Sequence, residues 1–482
     1  MKFEILAEKN SKEKKAFYYD NELNTLKSED GVEYKLQDYE VKERPHTQPF
    51  SKDTPLKKSK LIRKLKIQMG LSCNYSCDYC SQKFVERPPE TNKKDIDAFM
   101  EKLKVLEFDE QKGLSIEFWG GEPFVYWKTM KPLAEAIIEK FSEWKNPPKL
   151  SVITNGSILN KEICAWLMYN GFYVSISHDG PGQSYRGPDP FEDPEQKKFI
   201  LDFYKKMKRW SRISFNSMLH AQNPSRKKIY DWFVDFTGDP NVPLGEGGLI
   251  DAYDTDAVVY SFSTKQQHFD FRKQAFNDIF STQGQIGFGQ ILQKVDGFVM
   301  SVLRQEPSFY LGQKCGMDDP EVISIDMRGN VITCQNVSAP EVGTNGESHL
   351  GGNLDDYENV ELKGATHWKN REDCAACPVL HLCKGSCMHL HGDLWDTTCN
   401  SAFSDNIPLF ALAFEKITGG YIPYYINSPE KREERKDIWG TIVQHEEKNA
   451  RKIIPIRSIS TKTTVNEIEV FTKAKVIEDA NV

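Results

Sequence analysis

The chain has 482 residues, 39% of them hydrophobic and 28% charged, the balance of a folded globular protein rather than a disordered one. Its net charge of −7 excludes the basic footprint that non-specific nucleic-acid binding needs, and no run approaches the ~18 apolar residues of a membrane span. The opening residues, Met1 to Lys9, form no apolar signal core, so the reading is a cytoplasmic protein whose eleven cysteines stay reduced and bind metal.

In chain order, residues 1–60 read as a β appendage and linker. Ala16–Tyr19 and Val32–Leu36 are expected to pair across Asp30-Gly31, and residues 45–60 read as the linker. The appendage is either an edge extension of the next domain or a docking strand for a peptide. From residue 61 to 252, apolar strands alternate with helical stripes. The strands are Leu61–Met69, Leu114–Trp119, Leu150–Thr154, Phe172–Ser177, Ile213–Leu219 and Gly247–Ala252. The stripes include Ile96, Phe99, Met100, Leu103 and Leu106, then Met130, Leu133, Ile137, Ile138 and Phe141, then Ile229, Trp232, Phe233 and Phe236. Six βα units of ~30 residues each fit this span. The expected fold is α/β, a partial (β/α)6 version of the TIM barrel, with ligands at the carboxyl ends of the strands. Residues 253–310 read as a helical bridge that lets the next domain swing. Residues 311–405 hold most of the remaining cysteines, and 406–482 start with an apolar helix, then a solvated charged run, Glu430–Lys436, and a tail.

The chemistry-bearing stretch follows the first strand: Cys73-x3-Cys77-x2-Cys80. Three thiolates on one loop can hold three irons of a [4Fe–4S] cluster and leave the fourth iron open to a small ligand. The alternative for such a loop is a structural zinc knuckle. Gly120-Gly121-Glu122-Pro123 follows the second strand, Thr154-Asn155-Gly156 the third and Ser177-His178-Asp179-Gly180 the fourth. Arg186 is a fork for a carboxylate. Cys164 reads as an inert buried thiol in a short helix. Farther on, Cys315, Gly329, Cys334, Cys374, Cys377, Cys383, Cys387 and Cys399 follow the pattern C-x(9–15)-G-x4-C, gap, C-x2-C-x5-C-x3-C, gap, C. Val322–Asp326 and Asn330–Thr333 read as a hairpin with Gly329 at its tip.

These motifs resemble the radical S-adenosylmethionine (radical SAM) superfamily, and the second field resembles its SPASM domain. The resemblance implies a reduced cluster on Cys73, Cys77 and Cys80 that splits SAM into methionine and a 5′-deoxyadenosyl radical. It implies that Gly120, Gly121, Glu122 and Pro123 meet the SAM amino group, and that Thr154, Asn155, Ser177 and Asp179 serve its ribose and carboxylate, with Arg186 beside the carboxylate. It also implies two auxiliary [4Fe–4S] clusters, an outer one on Cys374, Cys377, Cys383 and Cys399 and an inner one on Cys315, Cys334 and Cys387. Seven cysteines for eight ligand positions leave the inner fourth position to a substrate thiolate, a water, or Asp318 or Asp319.

The implied function is a peptide maturase: an oxidoreductase that oxidatively modifies or cross-links (C–C or thioether) a ribosomally made precursor peptide. Its electrons come from a donor such as flavodoxin or ferredoxin. No ~80-residue winged-helix module precedes the barrel, so leader binding falls to the appendage or to a separate leader-binding protein. One alternative is an anaerobic sulfatase-maturating enzyme forming formylglycine. Those enzymes carry an Asp base directly after the cysteine matching Cys334, where this chain has Gln335. The other is a non-catalytic iron–sulfur or zinc scaffold. No residue is assigned as the catalytic base.

Overall fold

The structure is a computed structural model. It describes residues 1–37, 39–41, 49–281, 289–343, 346–364, 366–427, 432 and 435–440, and the backbone of two short strands, Lys462–Val465 and Ile468–Phe471. Part of the expected linker and most of the charged run Glu430–Lys436 lie outside the described residues.

A nine-stranded sheet organises the molecule. Six parallel strands follow one another across it: Lys64–Gln68, Ser115–Trp119, Lys149–Thr154, Tyr173–Ser177, Ile213–Leu219 and Leu244–Leu249. Between them run helices whose apolar stripes face the sheet. In Trp127–Lys140, for example, Met130, Leu133, Ala134 and Ile137 are buried, at the spacing that puts them on one face. This is the partial barrel expected from the alternation, with the sixth strand beginning three residues earlier than its sequence suggested.

The other side of the first barrel strand is also occupied. Val322–Asp326 pairs with it in parallel, Ser324 opposite Lys66, and continues antiparallel through Asn330–Ile332 to Leu350–Asn353. Gly329, at φ +79°, makes the turn of the hairpin. The second cysteine field therefore starts as an extension of the barrel's own sheet.

The N-terminal residues pair differently from the sequence expectation. Glu13–Asp20 lies between Lys2–Lys9 and Thr25–Ser28, with Phe17 opposite Ser28, and Ile422–Asn427 adds to the far side of Lys2–Lys9. Asp30-Gly31 turns the chain back, but Val32–Tyr34 covers Thr25–Ser28 rather than Ala16–Tyr19, through Tyr34 N to Leu26 O and Ser28 N to Val32 O. The opposite edge is covered too, by Ile426 N to Lys436 O and Ile438 N to Tyr424 O. Both edges already carry main-chain hydrogen bonds, which removes the basis for reading the appendage as a strand-docking site.

The stretch 253–310 contributes two long helices. Helices Lys265–Ser281 and Gly289–Leu303 pack on the long helix Gly392–Thr418. Arg226 of the barrel meets Asp405 of that helix in a buried ion pair at 2.6 Å, and Arg272 Nε donates to Ser404 Oγ. Breaking a buried pair by removing one partner costs ~3–5 kcal/mol, so this contact ties the barrel helix Arg226–Thr237 to the long helix. The N-terminal sheet packs on the same helix through Phe17 on Phe414 and Tyr19 on Phe410. Among the described residues no helix is long and apolar enough to cross a membrane.

Candidate active site

At the carboxyl ends of the barrel strands lies a cavity of about 450 Å³, walled by Cys73, Cys77 and Cys80 and by residues from the motifs singled out above. The cysteine loop leaves the first strand at Gly70, whose φ of +149° suits glycine. The three thiols are neighbours: Cys77 feels the charge of both Cys73 and Cys80, and Cys73 that of Cys80. Burial pushes Cys73 upward and Cys77 up to about 12, while Arg186 acts the other way. Cys73 is exposed and Cys77 and Cys80 are half-buried at the cavity wall, where a cationic centre that they ligate would hold them as thiolates.

The Gly-Gly-Glu-Pro turn serves this loop first. A Cβ on Gly120 would stand 2.5 Å from Gly70 O, and one on Gly121 2.5 Å from Ser72 O and 2.6 Å from Leu71 O. Gly121 N donates to Gly70 O and Glu122 N to Ser72 O. The glycines thus let two backbones touch, and these two amides are spent on the cysteine loop rather than left for a ligand. Glu122 is buried, and its carboxylate accepts from Phe124 N (3.0 Å), Thr154 Oγ1 (2.9 Å) and Asn155 N (2.7 Å). Burial raises its pKa, against the pull of these donors. Pro123 is buried and opens the helical turn that follows.

Thr154 and Asn155 both line the cavity, yet their polar groups are engaged within the chain. Asn155 Nδ2 donates to Asn74 Oδ1 of the cysteine loop. Ser177 lines the cavity, whereas Asp179 stands behind its wall. Asp179 accepts from Met218 N (2.9 Å), Arg186 Nη2 (3.3 Å) and the Tyr79 hydroxyl. It acts on the cavity through Arg186 and Tyr79, both of which line it. The Arg186 guanidinium is kept firmly charged, the Asp179 carboxylate outweighing the cost of burial. Its Nε is buried without a hydrogen-bond partner. His178 is a core residue, stacked between Phe191 and Trp232 with Nε2 3.0 Å from Asp189.

The second field separates into two groups of thiols. Cys374, Cys377, Cys383 and Cys399 line one small cavity of about 20 Å³, and Cys374 feels both Cys383 and Cys399. Arg435 Nη2 donates to Cys399 Sγ at 3.2 Å. Asn21 Nδ2 of the N-terminal sheet caps this segment, donating to the carbonyls of Ala375 and Cys377. Cys334 neighbours both Cys315 and Cys387, and Lys66 of the first barrel strand draws both Cys315 and Cys334 downward against burial. Asp318 accepts from Gln313 N and faces His367, and Asp319 pairs with Arg63, so both carboxylates are engaged elsewhere. Cys164 sits in the core, its thiol pushed up to about 12 by burial alone.

Several cavity residues were not legible as motifs. Trp119, Asn216, Met218, Asp251, Tyr253 and Asn336 all line the cavity. Tyr253 bridges to the second field, its hydroxyl 3.1 Å from Cys387 Sγ. The signal available was position alone, since Asp251 and Tyr253 directly follow the sixth strand at its carboxyl end.

The residues fit a SAM-bound cluster: three converging thiols, an ion-paired arginine with a buried donor unmatched, and room beside them. Among the described residues no set of three or more His, Cys, Asp or Glu side chains is gathered closely enough for a single metal ion.

Comparison with known proteins agrees. Residues 67–232 match the model of the Radical SAM superfamily. The chain is 24% identical over 355 residues to the radical SAM cyclopropyl synthase TigE of Paramaledivibacter caminithermalis, covering 68% of each. It is 24% identical over 343 residues to a cysteine-type anaerobic sulfatase-maturating enzyme of Clostridium perfringens, covering 65% of this chain and 85% of the relative. The solved structure of native anSMEcpe with bound AdoMet shares the fold with a TM-score of 0.51 at 19% identity, over 73% of this chain and 99% of that one. With its cysteine loop and companion motifs at the mouth of a partial barrel, the stretch 67–232 of this chain is a radical SAM domain.

Proposed function

We propose that the chain is a peptide maturase that oxidatively modifies or cross-links a ribosomally made precursor peptide, with one cluster at Cys73, Cys77 and Cys80 and two auxiliary clusters. The observation that carries this is the single cavity whose wall runs from the first cysteine loop to Tyr253, which touches the inner thiol group. When bound, a reduced cluster and SAM supply a 5′-deoxyadenosyl radical, and protein-held clusters span ~−700 to +450 mV, wide enough to both donate and accept electrons.

The chain's residues hold and shape the rest. Arg186 presents its guanidinium to the SAM carboxylate, while Glu122, Thr154 and Asn155 keep the turn and the cysteine loop in register. Ser177 lies on the same wall. The cavity would orient the reacting C–H beside the cysteine loop. Cys374, Cys377, Cys383 and Cys399 would hold the outer cluster, and Cys315, Cys334 and Cys387 the inner, its fourth ligand being a substrate thiolate or a water. A relative named as a sulfatase-maturating enzyme and a solved neighbour bound to a Kp18Cys peptide support a peptide or protein substrate. The partners are that peptide, a flavodoxin- or ferredoxin-like electron donor and a separate leader-binding protein, in the cytoplasm.

The oxygen-protected, reconstituted protein is expected to bind about twelve irons and to release 5′-deoxyadenosine. Replacing Cys73, Cys77 and Cys80 by Ala removes about four and stops the release; continued SAM cleavage in that variant would refute the assignment. Mass spectrometry of the reconstituted enzyme with short peptides encoded beside it tests the substrate class.

A further inference from the structure

The loop after the sixth barrel strand, Asp251-Ala252-Tyr253, carries no motif, yet it joins the two halves of the site. Asp251 and Tyr253 both line the 450 Å³ cavity. From the same loop, the Tyr253 hydroxyl lies 3.1 Å from Cys387 Sγ, and Asp251 Oδ1 accepts from Ser386 Oγ at 3.3 Å. The loop is therefore fastened at two adjacent points to the segment that bears Cys387.

The distance decides what Tyr253 does there. Thiolates on different irons of one cube stand much farther apart than 3.1 Å, so the phenol oxygen is not placed as a second ligand beside Cys387. It is at hydrogen-bond distance, and against a metal-bound thiolate, which has no proton to give, the hydroxyl is the donor. A hydrogen bond to a cluster sulfur withdraws charge and favours the more negative, reduced cluster, one of the recognised controls of its potential.

We infer that Tyr253 sets the reduction potential of the inner cluster from the substrate side, donating a hydrogen bond to Cys387 while its ring forms part of the cavity wall. It is a tuning residue, acting through Cys387. The inference rests on the reading of Cys315, Cys334 and Cys387 as one cluster site. A peptide seated in the cavity would lie against the ring that contacts the inner cluster's ligand, so substrate binding and cluster potential are coupled through one side chain.

The test uses the full-length chain with Cys73, Cys77 and Cys80 replaced by Ala, so that only auxiliary clusters remain, followed by redox titration read by electron paramagnetic resonance. The parent should bind about eight irons and titrate in two steps. A parent that binds about four would overturn the inner-cluster reading itself, independently of Tyr253. In Tyr253→Phe one step moves to lower potential and the other stays. With 3-fluorotyrosine at 253, whose more acidic hydroxyl is a stronger donor, the same step moves upward. If Tyr253→Phe does not take up iron, the fluorotyrosine protein decides alone. Two steps that stay in place in an iron-replete substituted protein would overturn the inference.

Discussion

Glu122 separates two ways in which the Gly-Gly-Glu-Pro turn can serve SAM: by touching it, or by holding the cavity in shape. Its carboxylate accepts from two backbone amides and one hydroxyl on two neighbouring segments. Glu122→Ala strands the amides of Phe124 and Asn155 in a buried place, at about 1–3 kcal/mol each. Removing a carboxylate whose burial is itself unfavourable offsets part of this, leaving a net cost of about 2–4 kcal/mol. Local opening made easier by that amount speeds amide exchange roughly 30- to 700-fold. Hydrogen-exchange mass spectrometry on peptides spanning 121–126 and 153–157, with SAM titrations on the same samples, gives the readout. Exchange in both segments should rise as SAM affinity falls, with Glu122→Gln in between because it keeps one acceptor oxygen. If SAM affinity is lost while exchange stays at the wild-type rate, the carboxylate contacts the ligand directly and the brace argument is wrong.

Other consequences are as specific. Gly121→Ala drives a methyl into the carbonyls of Ser72 and Leu71, a strain of about 1–3 kcal/mol, and should cut iron bound at the first loop while the auxiliary iron stays, by iron assay. Asp179→Ala removes the counter-charge of a buried arginine, at about 3–5 kcal/mol. It should weaken SAM binding although Asp179 stands behind the cavity wall, and a double-mutant cycle with Arg186→Met should be strongly non-additive. His349 is buried against Thr333 Oγ1 with its pKa lowered by burial to about 4. Its unfolded form binds a proton below about 6.5, so stability is complete above that and falls as pH drops towards 4, by of order 3 kcal/mol. Thermal unfolding of His349→Asn across this range should show a shallower acid loss.

What the sequence disclosed was what is local. Cysteine spacing survives translation into space because a loop of eight residues cannot separate its thiols widely. The barrel strands were legible because apolar runs and helical stripes alternate at a fixed pitch. The N-terminal sheet was misjudged because Asp30-Gly31 is a good turn signal, whereas Lys2–Lys9 and Ile422–Asn427 are partners from opposite ends of the chain. The contacts of 253–310 are equally remote in sequence, as where Arg272 Nε donates to Ser404 Oγ. Motif letters located the Gly-Gly turn but not what the missing side chains make room for, since that depends on the backbone of Gly70–Ser72 lying against it. Tyr253 follows the glycine-rich strand Leu244–Leu249, which has too few side chains to show a period.

The extension of the barrel sheet also bears on whether formylglycine formation is open to the proposed maturase. With Val322–Asp326 in register beside Lys64–Gln68, the segment after Cys334 returns over the first barrel strand. There Gln68 Nε2 donates to the carbonyls of Gln335 and Val337, and Lys66 Nζ donates to Gln335 Oε1 at 3.1 Å. The position where sulfatase-maturating enzymes are expected to hold an aspartate base is thus a neutral amide, tied to an ammonium, with no capacity to take a proton. The other carboxylate on the cavity wall besides the fully bonded Glu122 is Asp251. A cysteine-type sulfatase peptide should therefore bind without conversion: the reconstituted enzyme is expected to release 5′-deoxyadenosine and yield no formylglycine by mass spectrometry. Formylglycine from the wild-type chain would show that Gln335 is no obstacle and that another group takes the proton. Absence of product in both wild type and Asp251→Asn, set beside loss of modification of the native peptide in Asp251→Asn alone, would place the working base on the loop after the sixth strand.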